Sequence, residues 1–181
     1  MIKGGKGGAN TNIFGLRFEQ KTDVKTLFGR LKGYEVRGND LYFHRIKVAE
    51  IYKKGEFYTK FLSHYNINWK DILGKKLLPD EAIFVLQNNT LFIVEKKFQH
   101  RPGSVDEKLQ TCQFKLRQYK KLLVRSNKRV EYGYVLNNWF KRATYRDVLG
   151  YIIDVNCFYY FNVLPFEFLG LPTPLRHKSR L

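Results

Sequence analysis

The sequence predicts an α/β domain, a sheet flanked by helices, and three stretches carry that prediction. Two apolar, β-branched runs, 79–86 and 91–98, flank Asn88-Asn89. They read as a hairpin, because Asn tolerates the positive φ that a tight turn needs. Val105, Leu109, Cys112, Leu116, Tyr119 and Leu123 then form an unbroken apolar stripe at 4-3-4-3-4 spacing, which is the signature of an amphipathic helix. A further β-prone run, 131–137, follows that helix.

Composition bounds the rest. A chain of 181 residues is read as a single domain, 1–181, with a Lys/Gly leader at 1–9 and a Pro-punctuated basic tail at 172–181. A hydrophobic fraction of 44%, with 16% aromatic, excludes a disordered chain. Thirty-three basic residues against 16 acidic ones give a net charge of +17 and a pI near 9.9. That field favours polyanions, of which nucleic acid is the commonest, although a ribosomal-type RNA binder or an anionic membrane surface would share the charge. No run approaches the ~20 apolar residues of a membrane span, and no basic-apolar-small leader opens the chain. The expectation is a cytoplasmic protein with no membrane partner. Cys112 and Cys157, without a Cys-x-x-Cys, point to a reducing compartment and no structural zinc. His44, His64, His100 and His177 are scattered and suggest no histidine-based site.

In chain order, Asn10 or Thr11 can cap a first helix expected over 10–31. On this reading Phe14 and Phe18 lie one turn apart, and Asn12, Gly15 and Glu19 share the opposite face. Residues 34–51, with Gly38-Asn39-Asp40 between β-prone runs, predict a hairpin or a long first strand. Phe57, Tyr58, Phe61 and Tyr65 line the core face of a helix at 55–66, and residues 69–78 connect it to the hairpin through Lys75-Lys76. After a turn at 100–103, Ser104 and Glu107 have the capping-box form and start a helix over 104–124. Its stripe makes Cys112 a core residue rather than a nucleophile. Lys108, Lys115, Arg117 and Lys120 fall on its other faces, and Gln110 and Gln113 are placed near the edge of the hairpin's polar end. A basic aromatic segment, 139–146, and a last strand, 151–162, complete the chain. Gly133-Tyr134-Val135 and Gly150-Tyr151-Ile152 echo a GIY-YIG nuclease, but that fold needs its tyrosine hairpin first and a later Arg and Glu that have no place here.

The chemistry sits on the hairpin. Side chains alternate along a strand, so Glu95 and Lys97 emerge on one side and Val94, Lys96 and Phe98 on the other. Pairing about Asn88-Asn89 returns Asp80 to the same end. Two carboxylates and an ammonium together suit a hard divalent ion, which takes carboxylate and carbonyl oxygens and retains waters. An ammonium beside them can position a water and offset charge on a phosphate under attack. A surface hairpin that carries Asp, Glu and Lys incidentally is the competing reading.

Pro79-Asp80, Glu95 and Lys97 resemble the three motif places of the Pro-Asp…(Asp/Glu)-x-Lys, or PD-(D/E)XK, nuclease superfamily. More narrowly, residues 7–19 and 104–115 resemble the small catalytic subunits of heterodimeric type IIS restriction endonucleases, and the likeness covers roughly residues 5 to 137. The resemblance implies a restriction-endonuclease-like αβββαβ core with a central mixed sheet, capped here by helices 10–31 and 104–124. It implies Mg²⁺-dependent DNA hydrolysis, with Mn²⁺ as a substitute metal. Asp80, Glu95 and the Lys96 backbone carbonyl would hold the metal, Lys97 would orient the water, and Glu19 on the first helix would assist through a water. The implied partners are double-stranded DNA and a larger recognition and nicking subunit. A stand-alone homodimer, a junction resolvase, a repair nuclease and a non-catalytic nucleic-acid-binding module are the alternatives.

Overall fold

The structure is a computed structural model that describes residues 15–19, 22–101, 103 and 105–174. At its centre is a mixed seven-stranded sheet in the order β2-β3-β4-β5-β6-β7-β8. Strands β2 (Tyr34–Arg37), β3 (Asp40–Phe43), β4 (Ile46–Tyr52), β5 (Glu81–Val85) and β6 (Thr90–Lys97) run antiparallel. Two-residue turns of opposite-handed backbone explain the first connections: Gly38 has φ 63°, and His44 and Arg45 have φ 47° and 69°, the twist that matches flanking strands. The β5–β6 turn spans residues 86–89, with Asn89 at φ 50°.

Beyond β6 the sheet becomes parallel, and β7 (Arg129–Leu136) and β8 (Phe158–Phe161) are each reached by a helical crossover. Helices α2 (Val105–Leu109) and α3 (Cys112–Leu123) make the first crossover, and α4 (Arg146–Asp154) makes the second. Both faces of the central strands are covered, which is why β5 and β6 read as continuous apolar runs. Ala82, Phe84, Leu91 and Ile93 pack with Phe57, Phe61, Leu116 and Tyr119 on the α3 face. Ile83, Val85, Phe92 and Val94 pack with Leu16, Phe28 and Leu164 on the other. That second face is closed by α1 (Val24–Gly29), by α5 (Phe166–Leu169), and by a small ribbon of β1 (Gly15–Arg17) and β9 (Val163–Pro165).

Three expected elements are corrected. Within the helix expected over 10–31, residues 15–17 are strand and the helix is confined to Val24–Gly29. Leu16 and Phe18 are buried while Arg17 and Glu19 are exposed, a period of two created by pairing with β9, 148 residues away at Leu16↔Leu164. Asp23 then caps α1 by accepting the Thr26 N–H at 2.8 Å. The long helix over 104–124 is broken at Gln110-Thr111, where i→i+3 bonds to Glu107 and Lys108 tighten the backbone and the Thr111 hydroxyl donates to the Lys108 carbonyl at 2.8 Å. Residues 151–154, expected to open the last strand, belong to α4, whose Leu149 and Ile152 keep a helical spacing on the buried side. The helix at 55–66 is present over 55–64, with a π-helical stretch at Phe57–Leu62. Residues 1–14 and 175–181, which include the leader and most of the tail, lie outside the described residues.

Strand β8 can approach β7 closely because Gly133 has no side chain. A Cβ there would stand 2.1 Å from the Phe158 carbonyl oxygen and 2.5 Å from its ring. Gly133→Ala is therefore expected to lower the unfolding free energy by about 1–3 kcal/mol or more, measured by urea denaturation. An unchanged midpoint and slope would contradict this packing.

Candidate active site

The register of the central hairpin assembles the site. Glu81 lies opposite Val94, so Asp80, one step before β5, comes level with Glu95 on the α3 face. The Lys96 N–H donates to Asp80 Oδ2 at 2.9 Å, which holds that carboxylate against the end of β6. A strand residue sends its N–H and C=O to the same edge. Lys97 sends its carbonyl to Asn137 of the β7 side, at 3.2 Å, so the Lys96 carbonyl points back toward Asp80, past the last paired residue of β5.

Glu95 is only 7% exposed, and two ammoniums meet it. Lys97 Nζ is 2.8 Å from Oε2, while Lys115 Nζ, delivered by the second turn of α3, is 2.8 Å from Oε1 and 3.0 Å from Oε2. Burial pushes the Glu95 carboxyl up, but the charges of Lys97 and Lys115 and their hydrogen bonds outweigh it and hold it below its usual 4.5. Tyr132 of β7 lies beneath: Lys115 Nζ is 5.9 Å from its ring centroid, and among the described residues its buried hydroxyl meets no hydrogen-bond partner. Burial first, and then the Glu95 charge, keep that phenol neutral.

Lys96 has the opposite fate. Its side chain passes to the other face, where Nζ donates to Glu81 Oε1 at 2.8 Å and to the Thr22 carbonyl at 3.1 Å. Glu81 is 1% exposed, and it also accepts the Val24 N–H at 3.3 Å, at the start of α1. Burial raises the Glu81 carboxyl above its usual value despite the Lys96 ammonium. This pair anchors α1 to the sheet.

Of the residues singled out in the sequence, Asp80, Glu95 and Lys97 are brought together, and the Lys96 carbonyl is aimed at the same place. Glu19 is not on α1. It lies in the segment after β1 with an exposed side chain, and among the described residues nothing joins its carboxylate to the hairpin site. Gln110 is exposed and Gln113 half-buried; Lys115 is the α3 residue in contact with Glu95. The helical stripe had placed Lys115 on an outer face. The signal for it was its place next to the buried Leu116, early in a helix that must cross the end of β6 to return to β7.

The donor set fits a hard cation in residue type. Two carboxylates and a free-edge carbonyl converge, and Glu95 retains lone pairs beyond the three N–H···O contacts it accepts. Among the described residues there is no cluster of three or more His, Cys, Asp or Glu side chains able to hold a metal, and no helix is long and apolar enough to cross a membrane. Comparison with family models, with curated proteins and with solved structures returned no match to this chain.

Two outcomes follow from this geometry. Lys115→Met should raise the Glu95 carboxyl pKa, read by NMR of the side-chain carboxyl. Because the folded value is depressed, Glu95 contributes stability above pH ~4.5 that is lost as pH falls through the folded value, and Lys115→Met should shrink that contribution. Lys96→Met should cost about 3–5 kcal/mol of unfolding free energy, because it leaves the buried Glu81 without its counter-charge. A loss below 1 kcal/mol would show that Glu81 needs no partner.

Proposed function

We propose that this chain is a metal-dependent DNA endonuclease of the PD-(D/E)XK superfamily, acting as the cleavage subunit of a type IIS restriction endonuclease. The observation that carries the reading is the convergence of Asp80, Glu95 and Lys97 on one face of the β5–β6 end, with the Lys96 N–H locking Asp80 in place. The topology supports it: three antiparallel strands β4-β5-β6, the α3 crossover and the parallel β7 follow the order of an αβββαβ core.

Asp80, Glu95 and the Lys96 carbonyl would hold Mg²⁺, or Mn²⁺ in its place. The bound ion supplies neutralisation of charge at the scissile phosphate and acidifies a water. The chain's own groups account for the rest. Lys97 and Lys115 each carry three N–H donors. In the free protein these are directed at Glu95, and a phosphate anion entering the site offers them a second acceptor. One ammonium then stabilises charge building on the phosphate oxygens while the other orients the attacking water. Lys115 joins Lys97 as a candidate for either task.

The resemblance that singles out the catalytic subunits also implies a larger subunit that reads the DNA sequence. On that reading the isolated chain nicks weakly and without sequence preference, and efficient site-specific cleavage requires the partner.

Asp80→Asn, Glu95→Gln and Lys97→Met should each reduce Mg²⁺-dependent nicking of plasmid by on the order of 10²-fold or more while circular dichroism is unchanged. Wild-type cleavage by Glu95→Gln, in protein free of contaminating nuclease, would overturn the reading. Discrete double-strand cuts at a palindrome by the chain alone would instead identify a homodimeric enzyme.

A further inference from the structure

We propose that the groove between α3 and residues 65–72 binds the phosphodiester backbone of a nucleic-acid strand, away from the site of chemistry. The groove measures about 980 Å³. Arg117, Lys120 and Lys121 of α3, Arg125 of the turn that follows, and Lys128 just before β7 supply five cations along one wall. Its one lining carboxylate, Asp71, is already engaged by the Asn68 amide at 2.9 Å.

Shared placement in one groove with a single carboxylate sets these five cations apart. Elsewhere part of the surface charge is matched: Lys47 with Asp40 and Glu50, Lys53 with Asp23, Lys60 with Glu56, and Arg37 with Glu35. Among the described residues, none of the five groove cations has an ion-pair partner. Lys128 is the deepest: its Nζ rests 3.8 Å from the Tyr65 ring centroid and 5.1 Å from that of Phe84. Burial lowers its pKa, and the charge of Glu50 only partly offsets this. Five unpaired cations of a strongly basic chain thus line one channel.

Spacing points to a polymer of regular charge. Arg117, Lys121 and Arg125 follow at intervals of four residues, about 6 Å of rise per step along helical backbone. Tyr65 and Asn66 add neutral donors of the kind that also meet phosphates. The groove lies toward the far end of β6 from the catalytic hairpin end, where Thr90 pairs with Arg129, about 17 Å of strand from Glu95. Helix α3 carries Lys115 near its start and Lys120 and Lys121 in its last turn, with Arg125 and Lys128 following it. The inference rests on the nuclease reading for its ligand class, and its role is to hold and orient a strand, not to cut it.

The test uses the full chain in EDTA, so that cleavage plays no part. A fluorescent 20-mer duplex and the same single strand are titrated at several salt concentrations. The triple change Arg117→Gln, Lys121→Gln, Arg125→Gln should weaken binding tenfold or more at low salt. It should also reduce the slope of log affinity against log salt by about 2–3, since each phosphate contact contributes about 0.7–0.9. The arm in which the slope falls identifies the bound form, single strand or duplex. Lys121→Gln alone, a smaller change to the fold, should lower the slope by about 0.7–0.9. Unchanged slopes in both arms overturn the proposal, including the case in which the triple variant loses only an acidic protein partner. A fallen slope in a chain whose Glu95→Gln variant nicks as well as the wild type would uphold the groove and discard the nuclease.

Discussion

The register of the β5–β6 hairpin is the constraint on which the candidate site depends. With Glu81 opposite Val94, every odd residue of β6 faces α3 and every even one faces α1. A slip of one residue would send Glu95 and Lys97 to the α1 side and bring Lys96 into the site. Burial on both faces makes that slip costly, because Leu91 and Ile93 would exchange environments with Phe92 and Val94. The hydrophobic core thereby sets the position of the polar end, and the Asp80–Lys96 hydrogen bond closes the strand pair where the ladder stops.

Two buried glutamates one strand apart show how neighbours decide a carboxylate's role. Glu81 has one ammonium and one backbone N–H, and burial prevails, so its carboxyl is raised. Glu95 has two ammoniums, and attraction prevails over burial, so its carboxyl is lowered. The first arrangement ties a helix to a sheet. The second keeps an ionised carboxylate beside Asp80, the condition that cation binding requires. In the proposed enzyme, Lys97 and Lys115 serve the free protein as counter-charges and the substrate complex as phosphate partners.

Helix α3 links the parts. Its inner face, Leu116, Tyr119 and Leu122, packs on the sheet, its N-terminal part delivers Lys115 to Glu95, and Arg117, Lys120 and Lys121 on it line the groove. Tyr119 also donates to the Leu77 carbonyl at 2.9 Å, as does Tyr58, so the connector that leads into Asp80 is pinned against the same helix. Site and groove therefore share one rigid element.

Local periodicity alone determined the hairpin, the stripe of α3, strand β7 and the grouping of Asp80, Glu95 and Lys97, because each depends on the alternation of neighbouring residues. Tertiary structure decided what depends on distant partners. Gly15–Arg17 became strand only by pairing with β9, which removed Glu19 from the helix that its spacing suggested. Residues 151–154 became helix because α4 must cover the sheet before β8 begins. Lys115 reaches Glu95 across 20 residues of chain, and Glu81 meets the start of α1 across 57. The physical reason is the same in each case: a side chain's periodicity states which face it takes, while the charge or backbone that it meets there is set by how the crossovers stack on the sheet.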